Sequence, residues 1–353
     1  MTPGAERPLR VLMLGLGSVG QRHARNLRTL LGDRVELLAC RSRGLRRVIR
    51  EHARVEENAD LEREYELTVF SSLDEALARQ PDVAVIATPS SLHVSAALAC
   101  ARAGCHLFIE KPLSDSLVGV EELIAEVAQR KRVAAIGCQM RFHPCLELAS
   151  IALREGAIGR VLAMRVMVGE HLPGWHPYED YRESYASRRD LGGGVVLTLI
   201  HELDYAQWLV GMPSEIYALG GHWSPLEIDV EDVASMLLRC ADATGHPIAV
   251  HVQMDYVQQP PVRSCDIAGT EGRIAVDLRN NTFEMHAAGR LSPIEASFPE
   301  LERNEMFLAE LRHFLGAIDG AHPPAVSLRD AAGTLAVAIA AKESMRTGAV
   351  VRL

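Results

Sequence analysis

The sequence predicts an α/β protein with a doubly wound parallel sheet, followed by an α+β domain with a largely antiparallel, open sheet. As far as residue 138, short apolar runs rich in β-branched residues alternate with helical segments, as in a parallel sheet covered on both faces. From Ser214 onward, strand-like runs follow one another at hairpin spacing. A chain of 353 residues is also long for one core. We expect domains at 1–138 and 139–353, with a C-terminal helix able to pack back on the first.

The first predicted strand leads directly into a glycine turn and a helix, in the segment VLMLGLGSVGQRHARNLRTLL. In this G-x-G-x-x-G motif, Gly15 permits a tight turn, Gly17 lets the backbone approach a pyrophosphate, and Gly20 lets the helix pack close to the strand. An anion at the helix N-terminus meets unpaired N–H groups and the positive end of the helix dipole. The motif predicts a dinucleotide site, with a tight turn that binds nothing as the alternative. Its residues are Gly15, Leu16, Gly17, Ser18, Val19 and Gly20.

The second predicted strand, RVELLAC, ends at Cys40 and is followed by Arg41, Ser42 and Arg43. At this point of a dinucleotide fold, an acidic residue bonds the ribose of NAD, whereas an arginine accommodates the 2′-phosphate of NADP. No acid is present here, so the sequence predicts a preference for NADP(H) over NAD(H), unless the arginines are only solvated. The stretch from Leu45 to His52 that follows is expected to be helical.

Later strands of the first domain are expected at Val83–Thr88, His106–Ile109 and Val133–Gly137. Lys111 follows the second of these, at the carboxyl edge where open α/β sheets bind their ligands. A lysine there can donate a hydrogen bond to a substrate carbonyl or move a proton. Glu110 precedes it and is able to orient the backbone, and the proline after it can adopt a cis bond. A solvent-exposed lysine at a strand end is the alternative.

A loop over residues 170–190, rich in aromatic and charged residues, precedes a triple glycine in the second domain. Aromatic faces and paired polar groups suit a sugar or polyol ring, so Trp175 and Tyr181 are candidate substrate contacts, with simple packing as the alternative. Arg188 and Arg189 are able to hold a phosphate or a carboxylate on the substrate, although adjacent surface arginines are usually solvated. Arg141, near the start of the domain, is interpreted either as a contact to cofactor or substrate or as a member of an interdomain ion pair.

The composition argues against several classes of protein. The formal net charge is −9, without blocks of basic residues, which argues against a nucleic-acid surface. Seven dispersed cysteines without a C-x-x-C pair indicate reduced thiols in a cytoplasm. We recognise no signal peptide or membrane span, and we expect no metal site.

Four motifs in order, GLGSVG, ATPSSLH, EKP and GGG followed by H and D, resemble those of the glucose–fructose oxidoreductase, inositol dehydrogenase and rhizopine catabolism family (Gfo/Idh/MocA). The resemblance covers nearly the whole chain. It implies a Rossmann domain, a C-terminal domain whose open sheet often forms homodimers or homotetramers, and reversible hydride transfer between a nicotinamide and a sugar or cyclitol carbon.

Site roles follow from this resemblance residue by residue. Lys111 and His201 are implied to handle the proton, and the loop with Thr88, Pro89 and His93 is implied to pass the nicotinamide. The aspartate that usually precedes the histidine is missing, because Thr198 stands about one turn before His201. A threonine cannot carry negative charge at neutral pH. Asp204 is a candidate substitute or a structural residue.

We therefore expect an NAD(P)-dependent oxidoreductase acting on a sugar, a cyclitol or a nucleotide-sugar. Two other readings are retained. One is an imine or biliverdin-type reductase on the same scaffold, and the other is a non-catalytic regulator that binds NADP(H).

Overall fold

The computed structural model describes residues 7–41, 47–50 and 54–353, and they form two compact units. The first unit contains the chain as far as Gly137 together with Phe307–Arg329. The second contains Cys138–Met306 and Asp330–Leu353. Each unit is a mixed α/β body, as the sequence predicted.

The first part of the chain alternates strands and helices. Its elements are β1 (Leu9–Leu14), α1 (Ser18–Leu31), β2 (Val35–Cys40), β3 (Arg47–Ile49), β4 (Val55–Glu57), α2 (Leu61–Glu64), β5 (Leu67–Phe70), α3 (Leu73–Leu77), β6 (Val83–Ile86), α4 (His93–Arg102), β7 (His106–Glu110), α5 (Val120–Gln129) and β8 (Ala134–Gly137). Six of these strands form a parallel sheet in the order β5-β2-β1-β6-β7-β8. The order doubles back beside β1, which is the point at which open α/β sheets bind nucleotides.

The predicted helix from Leu45 to His52 is wrong where the structure describes it. Residues Arg47–Ile49 form β3, which pairs antiparallel with β4. The backbone N–H of Ile49 donates to the Gln21 side chain (2.7 Å), and Arg25 donates to the Ile49 carbonyl (2.8 Å). These contacts with α1, together with burial of Val48, hold the segment extended.

The later part of the chain contributes α6 (Pro144–Arg154), β9 (Val161–Gly169), α7 (Val195–Thr198), α8 (His201–Val210), β10 (Glu215–Gly221), β11 (Val233–Ala241), β12 (Pro247–Asp255), β13 (Val262–Gly269), β14 (Gly272–Asp277), β15 (Thr282–Ala287), β16 (Ile294–Ser297), α9 (Arg303–Ile318), α10 (Leu328–Thr347) and β17 (Val351–Arg352). Nine of these strands form a mixed sheet in the order β16-β15-β14-β13-β9-β12-β11-β10-β17. Only the β9–β12 pair within it is parallel, so the sheet is largely antiparallel, as predicted.

Helix α9 completes the core of the first unit. Leu311 and Phe314 are buried there with Phe108 of β7, and the Phe108 and Phe314 rings lie 5.4 Å apart between centroids. The parallel sheet therefore depends on a segment from late in the chain.

None of the seven cysteines forms a disulfide bond. Within the described ranges, every helix is too short or too polar to traverse a lipid bilayer.

Candidate active site

The glycine turn between β1 and α1 has the geometry expected for a phosphate cradle. Gly15 has φ +91°, and a Cβ there would lie 2.3 Å from the Ala87 carbonyl oxygen. A Cβ on Gly20 would lie 2.1 Å from the Gly15 carbonyl oxygen, whereas one on Gly17 would meet nothing within 4 Å among the residues that the structure describes, apart from its chain neighbours. The first N–H groups of α1, on Ser18 and its neighbours, have no acceptor within the helix. Space in front of Gly17 and free donors behind it fit a dinucleotide pyrophosphate.

The end of β2 carries Cys40 and Arg41, whereas the predicted contacts Ser42 and Arg43 lie outside the described residues. The Arg41 guanidinium lies 3.5 Å from the Glu62 carboxylate. Any phosphate that approached Arg41 would therefore also meet a carboxylate.

His93 links the loop after β6 to the turn after β7. Its ring nitrogens lie 2.8 Å from the carbonyl oxygens of Thr88 and Pro112, and the imidazole is 1 % exposed. His93, which was predicted to contact the cofactor, therefore connects these two loops through hydrogen bonds to their backbone. The Thr88 hydroxyl is buried and has no hydrogen-bond partner in the described part of the chain, so it is able to receive one from a ligand.

Lys111 follows β7, and its bond to Pro112 is cis. The neighbouring Glu110 side chain turns inward: Oε1 lies 2.5 Å from Nε2 of His23, and Oε2 accepts from the backbone N–H of Lys111 at 3.3 Å. Burial opposes ionisation of Glu110, but the bond from His23 and the charge of Lys111 outweigh it and lower the pKa of Glu110. The backbone of Lys111 is thus held by an ionised carboxylate. Sequence reasoning missed His23, whose only signal was its position three residues after Gly20.

In the second unit, the triple glycine that precedes His201 in the chain lets other groups pack closely against its backbone. Gly194 has φ +104°, and a Cβ there would lie 2.3 Å from Oε1 of Glu231. The helix after it is interrupted, with α7 ending at Thr198 and α8 beginning at His201. Thr198 and His201 are 2 % and 5 % exposed. A buried threonine therefore stands in the place where the resemblance leads one to expect an aspartate.

Arg141 and Asp204 form a buried, two-pronged ion pair. Nε and Nη2 of Arg141 donate to the two Asp204 oxygens at 2.9 and 2.8 Å. The side chains are only 9 % and 2 % exposed. Of the two roles considered for Asp204, this geometry favours the structural one, since both of its oxygens are engaged. A second ion pair, between the buried Glu202 and the half-buried Arg263 at 2.6 Å, was not predicted.

The 170–190 loop combines buried aromatic contacts with exposed ion pairs. The Trp175 ring meets that of Tyr256 edge-on, with centroids 5.3 Å apart, and its buried Nε1–H has no acceptor among the described residues. The Tyr181 hydroxyl accepts from the backbone N–H of Glu227 at 3.2 Å. Arg188 pairs with Asp190 at 2.7 Å, so its charge is already partly neutralised. Trp175 is the member of this loop best suited to a substrate hydroxyl.

Comparisons with known proteins agree with this geometry. Residues 9–138 match the model for an oxidoreductase family with an NAD-binding Rossmann fold, and residues 147–275 match the model for a GFO/IDH/MocA C-terminal domain.

Two relatives align over almost all of the chain. The scyllo-inositol 2-dehydrogenase (NAD(+)) of Bacillus subtilis is 28 % identical over 99 % of this chain and 97 % of its own. The UDP-N-acetylglucosamine 3-dehydrogenase of Acidithiobacillus ferrooxidans is 27 % identical over 90 % of both chains.

The fold also has solved counterparts. A levoglucosan dehydrogenase in complex with NADH and levoglucosan superposes with a TM-score of 0.82, at 21 % identity over 98 % of this chain and 99 % of that one. At this identity, the superposition supports the fold alone.

Proposed function

The chain belongs to the Gfo/Idh/MocA family of oxidoreductases, and from that premise we propose that it oxidises or reduces a CH–OH carbon of a sugar, cyclitol or nucleotide-linked sugar. The observation that carries the proposal is the open cradle at Gly17 in the same unit as Lys111. A nicotinamide dinucleotide held by Gly15–Gly20 supplies or accepts the hydride.

We propose that Lys111 and His201 handle the proton. Lys111 has an ammonium group able to donate to an oxygen that gains negative charge as a carbonyl is reduced. His201 is an imidazole, whose ordinary pKa lies near neutrality, as a proton donor or acceptor requires. The fixing of the Lys111 backbone by Glu110 supports this role, because a proton donor must be held in place.

The substrate class is supported by Trp175. Its buried indole N–H, without an acceptor among the described residues, would gain one from a substrate hydroxyl, and its ring offers an apolar face to a sugar. The names of the two aligned relatives, one acting on an inositol and one on a UDP-sugar, fit this class.

The cofactor preference is open to a direct measurement. Arg41 and Arg43 predict NADP(H), and that preference stays a prediction. Glu62 beside Arg41 and the NAD(+) in the name of an aligned relative favour NAD(H) instead. Nicotinamide fluorescence titrations with NADH and NADPH give the two dissociation constants, and Arg41→Ala should weaken NADPH binding alone if the arginine reading holds.

The outer face of the second unit's sheet is proposed to contact a second copy of the chain, giving a homodimer or homotetramer. On β10 and β11, buried residues alternate with half-buried or exposed ones, and Leu219 and Leu237 are 52 % and 58 % exposed. Tyr217 lies opposite Leu237 in the register, which extends the apolar patch. Apolar side chains on an open sheet face are typical of an isologous interface.

The decisive experiment is turnover with pooled keto-sugars, inososes and nucleotide-linked sugars after NADH or NADPH is bound. We expect Lys111→Met to bind cofactor within about twofold of the wild type but to lose roughly 100-fold or more in kcat. Lys131→Met, which removes an exposed lysine of the same unit, is the matched control.

Equal turnover by Lys111→Met would overturn the catalytic assignment. His201→Asn separates the reaction classes, since an imine reductase with another proton source should be nearly unaffected. Cofactor binding without turnover on any pool would favour the regulator.

A further inference from the structure

Three ionisable side chains from distant parts of the chain meet inside the first unit. His23 of α1, Glu110 of β7 and Glu310 of α9 are 0 %, 6 % and 4 % exposed. One nitrogen or oxygen atom of each lies within 4.8 Å of one on each of the others. The rings of Phe108 and Phe307 pack against His23, with centroids 5.0 and 6.0 Å away, so the surroundings are apolar.

The two carboxyl groups differ in their hydrogen-bond partners. Glu110 accepts from the Lys111 backbone and contacts His23, as described above. Neither oxygen of Glu310 has a hydrogen-bond partner in the described part of the chain, and both are buried. A carboxylate without donors is costly to bury, and a second negative charge close by adds to that cost. We therefore expect only one of the two carboxyl groups to be ionised. That group is Glu110, because His23 and the Lys111 backbone supply hydrogen bonds to its carboxylate.

We propose that Glu310 is an uncharged carboxylic acid at neutral pH and thereby keeps the single negative charge of this buried group on Glu110, beside Lys111. Burial, followed by the charge of Glu110, raises the pKa of Glu310 well above its usual range. The other titratable groups that act on Glu110 are His23, Lys111 and His93. Any effect of this charge on Lys111 rests on the proposed function, whereas the charge state of Glu310 does not.

A metal ion held by the same three side chains is the competing explanation. His23 Nε2 and Glu110 Oε1 are 2.5 Å apart, a hydrogen bond in which a proton lies between them. Two ligands on a tetrahedral zinc ion, each about 2.0–2.1 Å from the metal, lie roughly 3.3 Å apart. The observed geometry therefore suits proton sharing and not coordination.

The first test is infrared spectroscopy of the full chain. The difference spectrum between the wild type and Glu310→Gln should contain the C=O stretch of a protonated carboxyl group at neutral pH. A difference in carboxylate bands alone would overturn the proposal, as would one equivalent of metal in the purified wild type that Glu310→Gln loses.

The second test is thermal unfolding against pH. A carboxyl group whose folded pKa is raised binds more protons in the folded state than in the unfolded state, so its contribution to stability falls as pH rises above about 4.3. The melting temperature of Glu310→Gln relative to the wild type should therefore rise from about pH 5 to about pH 8. A flat difference would mean an ordinary, ionised Glu310, and a falling one would mean a coordinated carboxylate.

The catalytic arm uses the pH profile of kcat. Glu310→Gln, neutral and of the same shape, and Glu310→Ala, which has no carboxyl group, both leave the single negative charge on Glu110, so both should keep the wild-type profile. A profile that shifts in Glu310→Gln would overturn the proposal, because it would mean that Glu310 carries a charge in the wild type. If the wild type has no turnover at all, the proposed function fails, and the infrared and unfolding results still decide the charge state.

Discussion

Breaking the Arg141–Asp204 ion pair gives a quantitative test of whether Asp204, on the helix that begins at His201, has a structural or a catalytic role. Both side chains are at most 9 % exposed, and two hydrogen bonds join them. Removing one partner of such a pair leaves a buried charge without compensation and costs about 3–5 kcal/mol. Since 1 kcal/mol shifts the melting temperature of a 150–250-residue domain by about 2–4 °C, Arg141→Met or Asp204→Asn should lower it by roughly 6–20 °C.

The matched control is Arg346→Met. Arg346 and Glu343 form an exposed pair on α10, with side chains 71 % and 45 % exposed. Because solvent screens such pairs, this substitution should cost no more than about 1 kcal/mol. Combining Arg141→Met with Asp204→Leu should recover most of the lost stability, because no unpaired charge remains.

The assay is thermal unfolding followed by tryptophan fluorescence, in parallel with kcat. An Asp204→Asn variant that keeps the wild-type melting temperature but loses kcat roughly 100-fold would refute the structural assignment. The carboxylate would then be the substitute for the aspartate that Thr198 replaces.

Three further predictions concern other sites. Burial lowers the pKa of His143 to about 4. The free energy of unfolding should therefore fall as pH drops below about 6.5, by up to about 3 kcal/mol. In melting curves recorded against pH, His143→Asn should reduce this loss of stability in acid. Leu237→Arg should shift the mass measured by light scattering towards the monomer without loss of secondary structure, and an unchanged mass would exclude this face as the interface. Gly15→Ala and Gly17→Ala should each weaken NADH binding more than about tenfold, but only Gly15→Ala should also lower the melting temperature.

Local patterns were sufficient for much of the fold. Residues Val83–Ile86, buried throughout, were predicted as a strand because an uninterrupted apolar run indicates burial on both faces. Ser72 and Glu75 have the spacing typical of a capping box, and the Ser72 hydroxyl accepts from the Glu75 backbone N–H at 3.2 Å. These signals lie within a few residues of the feature they predict.

Non-local contacts explain what the sequence did not reveal. The extended conformation of Arg47–Ile49 depends on Gln21 and Arg25, more than 20 positions earlier. His23 and Glu110 are 87 positions apart, and their pairing depends on the order of the strands. Arg141 was recognised as a candidate, and Asp204 as either a substitute for the missing aspartate or a structural residue, but their pairing was not predicted. Polar groups acquire their partners through tertiary structure, and one sequence carries little information about it.

The late return of the chain to the first unit has a consequence for synthesis on the ribosome. Residues 138–306 separate the parallel sheet from Leu311 and Phe314, which complete its apolar interior. At about 5–20 residues per second, the sheet waits roughly 10–30 s for them. During that interval part of the Phe108 side chain is exposed, so the nascent chain presents an apolar surface to chaperones and to other nascent chains. Stop codons placed before residue 307 should therefore yield aggregated fragments and not a free nucleotide-binding domain.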